Sequence, residues 1–122
     1  MSTAELVAEH AEELRAAVRT VDGVRVYEDP SATIRPPGVF VAPPRLRWES
    51  GCPEPTSATF VVVVMVAMDK RSVERLLELV PRVAEAIDSL LPDAAVSTAD
   101  PGLFNSGGSD LPSYEITVEV SL

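Results

Sequence analysis

The chain has 122 residues, a length that fits one domain (1–122) burying roughly 60–70% of its unfolded surface. Hydrophobic residues make up 46% and aromatics 5%, so the core is aliphatic and needs no disulfide or metal to reach ordinary stability. The net charge of −9, from 19 acidic and 10 basic residues, keeps the chain soluble and argues against a protein that grips a phosphate backbone.

In chain order, residues 4–20 read as a helix, with Leu6, His10, Leu14, Val18 and Val21 marking one face. Ser2 or Thr3 caps it, and Asp22-Gly23 stops it. Residues 24–27 alternate as a short strand. The connection EDPSATIRPPG is stiff, because each proline fixes its own φ and biases the residue before it. Residues 38–42 form a second strand, interrupted by Pro43-Pro44. Residues 45–49 continue it, with Leu46 and Trp48 on one side; so broken a strand belongs at a sheet edge.

Residues 50–58 read as a loop. The run at 59–68, TFVVVVMVAM, is the strongest strand signal and implies burial on both faces. Asp69 or Ser72 caps a second helix over 73–91. Its apolar face runs Val73, Leu76, Leu77, Val80, Ala84, Ile87 and Leu91, and Pro81 kinks or divides it. Residues 94–98 form a short strand. Residues 99–113 have the composition of a flexible surface loop. Residues 114–120 alternate cleanly, with Tyr114, Ile116, Val118 and Val120 on the inner side. The expected fold is α+β: a four- to five-stranded sheet, mostly antiparallel or mixed, with two helices packed on one face.

Residues that carry chemistry are sparse. His10 is the one histidine and lies on an apolar stripe; Cys52 is the one cysteine, and nothing in the sequence places the two together. One His and one Cys make no metal cluster, and Gly107-Gly108 lacks the context of a phosphate-binding loop. No catalytic, cofactor or metal residue is expected. The arginines are dispersed among acids. The longest apolar run, Phe60 to Met68, is about half of a membrane span, and the acidic start is no signal peptide, so a soluble intracellular protein is expected. The apolar surplus of the central strand and the Pro-bracketed edges point instead to burial against another copy or a partner.

The segment DGVRVYEDPSATIRPPGVFVAPPRLRWE, residues 22–49, carries a resemblance. After an N-terminal helix come Gly23 to Tyr27, the Asp29-Pro30 turn, Pro36-Pro37, the strand Val39 to Val41 and Pro43-Pro44. The strong strand, the charged turn Asp69-Lys70-Arg71 and the second helix continue the pattern. In this it resembles the tail-terminator or tail-completion proteins at the head–tail junction of long-tailed phages and prophages. The resemblance implies a non-catalytic virion assembly protein without cofactors. It implies a hexameric ring that caps the tail tube, stops its polymerisation and offers a surface to the head connector. Such a protein acts in the host cytoplasm during assembly and then in the tail or neck of the virion. Genome DNA passes through the ring without specific binding, and an acidic lining would keep that passage free. Pro36, Pro37, Pro43, Pro44, Leu46 and Trp48 are the expected subunit or tube contacts. Another head–tail connector or neck protein, or a small ligand-binding regulatory domain, is the alternative.

Overall fold

The computed structural model describes residues 2–29, 31 and 33–122. Pro30, the second residue of the expected Asp29-Pro30 turn, lies outside the described residues. The first helix, α1 (Thr3–Arg19), starts where Ser2 Oγ accepts the Glu5 N–H at 3.2 Å and donates to the Glu5 carboxylate at 3.0 Å. These bonds satisfy one of the helix's orphan donors and hold an acid against its positive end. Ala11, Leu14, Ala17 and Val18 are its buried residues, and Val21 beyond its end is buried too. Gly23 follows with φ of +84°, a conformation that favours glycine.

Among the described residues six strands form one mixed sheet: β1 (Arg25–Tyr27), β2 (Gly38–Val41), β3 (Arg45–Arg47), β4 (Ser57–Met65), β5 (Ala94–Ser106) and β6 (Ser109–Ser121). The order is β1-β2-β4-β6-β5, with β3 also paired to β4. Only β1–β2 is parallel; the other pairs are antiparallel. A parallel pair cannot be closed by a tight turn. The chain between β1 and β2 carries Ile34 into a small cluster with Phe40, Val63 and Met65. Six strands are one more than the upper expectation, because β3 pairs on its own rather than as a continuation of β2.

The main core lies between the helices and one sheet face. Val39, Val41, Ala58, Phe60, Val62, Val64, Ile116, Val118 and Val120 meet Leu14 and Val18 of α1 and Leu76, Val80, Val83 and Ile87 of α2 (Ser72–Leu90). The β4–β6 register sets Phe60 opposite Val118 and Val62 opposite Ile116. Strand β4 is buried on alternate residues at first and on every residue from Val62 to Met65. Burial on both faces therefore holds for its C-terminal half, where the Ile34–Phe40 cluster covers the second face.

Several expectations change. Residues 99–113 are not a loop: β5 and β6 are 13-residue strands joined at Gly107-Gly108, whose φ values are +58° and +87°. This is the backbone a two-residue hairpin turn requires. Phe104 and Leu111 pack on the second cluster, and Ser106 Oγ accepts the Ile34 N–H at 3.0 Å, which anchors the hairpin end. In α2, Val73 and Leu77 are 63% and 56% exposed, while Leu79 and Val83 are buried. The apolar stripe is rotated from the expected one because the sheet lies on the Leu76–Leu79–Val83 side. Pro81 sits exposed within one continuous helix.

Neither Asp69 nor Ser72 is the capping residue of α2; that position is Arg71, without a side-chain cap bond. Asp69 and Ser72 instead fold the loop against the helix start. Asp69 Oδ1 accepts the Arg71 N–H at 2.8 Å, and Ser72 Oγ accepts the Asp69 N–H at 2.8 Å.

Candidate interaction surface

The expected contact residues divide into separate places. Pro36 and Pro37 precede β2, and Pro43 and Pro44 follow it, so the two pairs bracket opposite ends of one strand. The Pro37 carbonyl accepts the Arg25 N–H at 3.2 Å, which ties the first pair to β1. Leu46 lies opposite Ala58 and packs against the main core. Trp48 follows the end of β3 and is 53% exposed. The alternation that puts Leu46 and Trp48 on one side stops at Arg47, so only Trp48 is presented outward.

The helices cover one sheet face only. The other face is closed at one end by the Ile34–Phe40 cluster and open elsewhere. Its open part has a 310 Å³ depression lined by Pro43, Arg45, Thr59, Val61 and Thr117. Beside it stand Ser57, Arg47, Glu115 and Glu119, set on this face by the β3–β4–β6 registers. Strand-forming, half-buried Thr59, Val61 and Thr117 thus floor a polar-rimmed surface.

A second concavity is apolar. A groove of about 420 Å³ runs between the N-terminal half of α1 and the β2–proline segment, lined by Val7, Ala8, Ala11, Phe40, Val41, Pro43, Pro44 and their neighbours. Arg15 and Glu28 stand on its rim. Small alanines on α1 leave this space open where larger side chains would fill it.

Groups able to do chemistry do not converge. His10 Nδ1 lies 3.6 Å from Glu13 on the same helix, in a 180 Å³ hollow whose lining offers no hydroxyl or thiol. Cys52 is exposed in the loop after β3. Among the described residues no group of three or more His, Cys, Asp or Glu side chains is placed to hold a metal ion. No helix among them is long and apolar enough to cross a membrane.

Shifted carboxylates lie away from both concavities' floors and belong to local bonding. Arg19, then Arg15, hold the Glu12 carboxyl below its ordinary value by hydrogen bonds. The Arg71 amide, then the Arg75 guanidinium, do the same for Asp69. The Ser31 hydroxyl and amide lower Asp29.

The chain matches no protein-family model and no curated protein sequence.

Proposed function

We propose that this chain is a non-catalytic virion assembly protein that forms a ring at the end of a phage tail tube, stops tube polymerisation and provides the head-joining surface. The observation that carries the reading is the half-covered sheet. One face is sealed by α1 and α2, while the other keeps an uncovered, β-branched floor with free strands at both margins. A domain that seals one face and leaves rigid strand edges free is built for lateral assembly. The Pro-bracketed segment 22–49, which resembles tail-terminator proteins, supports the same reading.

The partners are further copies of the chain in a hexameric ring, the tail tube protein and the head connector protein. The acidic balance is suited to a channel that DNA crosses without being held. The test is tube growth in vitro. Adding the purified chain to polymerising tube protein should halt elongation and leave six-fold rings at the tube ends in negative stain. Unchanged tube lengths with no end-bound density would sink the reading. Binding to the head side alone would assign the chain to another neck position.

A small ligand-binding role has one observation in its favour, the 420 Å³ apolar groove beside α1, which lies in the size range of small-molecule sites. It predicts a stable monomer whose groove resonances shift when an apolar fluorescent probe such as ANS is added.

A further inference from the structure

The two-residue turn at Gly107-Gly108 fixes which backbone groups of β5 point away from the sheet. In such a hairpin the residues flanking the turn, Ser106 and Ser109, form a bonded pair, and bonded and non-bonded pairs alternate from there. Phe104 and Gly102 therefore bond to β6, while Leu103, Asn105 and the Pro101 carbonyl point outward. The prolines agree with this parity. Pro101 and Pro112, which have no N–H to give, both fall at non-bonded positions, and the Pro112 carbonyl turns toward β4 to accept the Val66 N–H at 3.1 Å. β5 ends the sheet, so the outward groups of Leu103 and Asn105 have no partner among the described residues.

Apolar surface gathers at the same edge. Met68, Val73, Leu77 and Leu103 are each more than half exposed. Leu103, Pro101 and Ala99 are the register partners of Pro112, Tyr114 and Ile116, so they lie on the helix-covered side of the sheet. The bond from Val66 to Pro112 brings the end of β4, and with it Met68 and the first turn of α2, to this part of the hairpin. The Leu79–Arg82–Ala86 side of α2 lines hollows with Asp22 beyond α1; Val73 and Leu77 lie on the other flank of the buried stripe, toward the β5 margin. On the open side, Asp100 stands opposite Glu115, and their row continues to Val63 and Phe40 without a basic residue. Arg45 and Arg47 lie in other rows, on the far side of β4. Neither Asp100 nor Glu115 enters an ion pair among the described residues.

We propose that residues 99–105 of β5 receive an extended segment of another protein as an added strand. The outward groups of Leu103 and Asn105 and the Pro101 carbonyl supply main-chain bonds, and the side chains set specificity. Successive residues of an added strand face opposite sides. The residue opposite Asp100 lies on the open side beside the two acids, where a lysine or arginine relieves their repulsion. The residue opposite Leu103 lies on the helix side, where a large apolar side chain covers Leu103 and its exposed neighbours. The partner's signature is thus a basic and a large apolar residue three positions apart in an alternating, extended segment. A bulge after Val96 interrupts the edge before this stretch and confines pairing to it. A second copy is a poor occupant. β1 and β3, the other edge strands among the described residues, are 3 residues long, too short to span the stretch. β5 itself has no lysine or arginine to set against Asp100. The inference goes beyond the ring reading and does not rest on it.

The probe is a synthetic peptide with blocked ends, Val-Thr-Leu-Thr-Val-Lys-Val, added to the full chain; a control peptide exchanges its lysine for glutamate. Amide hydrogen exchange read by NMR locates the site. At about millimolar concentration the lysine peptide should slow exchange at Leu103 and Asn105 by about tenfold. It should bind about threefold more tightly than the glutamate peptide. Asp100→Lys, an exposed substitution checked for folding by circular dichroism, should reverse that preference. A reversal between two peptides on one variant reads the site independently of the variant's stability. No slowing at Leu103 and Asn105, slowing only at β1, β3 or the groove beside α1, or a preference that Asp100→Lys leaves unchanged would each overturn the proposal. So would protection of the same amides as the peptide-free chain is concentrated, because a second copy would then hold the edge. Tube growth is read separately. A chain that takes the peptide but leaves tubes growing keeps the edge site and loses the tail role; one that halts tubes but ignores the peptide does the reverse.

Discussion

Phe60 shows what a single residue contributes. It is fully buried and set opposite Val118 in the layer between sheet and helices. Phe60→Ala should cost about 3–5 kcal/mol, from lost transfer energy plus a cavity that its Val neighbours refill poorly. Urea denaturation would show it as a lower midpoint at unchanged slope. Asp69 acts differently, through the ionised form of its carboxylate. Its folded value lies below the unfolded one, held there by the Arg71 amide and the Arg75 side chain. Such a group contributes stability above its unfolded value, and the contribution is lost as pH falls through the lower folded one. Asp69→Asn should therefore melt below the unaltered chain at neutral pH. The two melting temperatures should converge as pH falls through and below the ordinary carboxylate range. A gap that persists in acid would mean that shape, not charge, holds the turn.

At the scale of elements, the β5–β6 hairpin and α2 make opposite predictions. Gly107 and Gly108 both have positive φ, and a Cβ at either meets nothing within 4 Å. A side chain there is penalised by backbone conformation, not by a clash. Gly108→Val should destabilise by about 1–2 kcal/mol, while Gly107→Asn should be nearly neutral. Pro81 lacks the N–H that would bond the preceding turn of α2, and it is exposed. Pro81→Ala should raise stability by up to about 3 kcal/mol in the same denaturation assay. These elements also mark the reach of the sequence. Helix α1, the central strand and the inner half of β6 were legible, because their periodicity coincides with burial. The outer half of the hairpin was not. Residues 99–113 have turn composition, and their pairing is held by the partner strand and by the anchor of Ser106 to Ile34. The Gly-Gly pair was itself a hairpin signal, obscured by the Asn, Ser and Asp around it. The stripe of α2 was misplaced by one position because Val73 and Leu77 are apolar yet face outward. Of the six expected contact residues, Pro37, Pro43 and Trp48 are exposed. Leu46 went to the core, since β3 is too short to carry its alternation past Arg47.

For the whole molecule, the decisive quantity is where the charge sits. The last 40 residues hold seven acids and no lysine or arginine: Glu85 and Asp88 on α2, Asp93 before β5, and four on the β5–β6 hairpin, where Asp100 opposes Glu115 directly. The Asp100–Glu115 pair therefore stores repulsion within the β5–β6 hairpin. Added salt screens it, so the monomer's melting temperature should rise with ionic strength. Asp100→Lys turns a repelling cross-strand pair into an attracting one, worth roughly 0.2–1 kcal/mol in an exposed ladder, and should blunt that salt response.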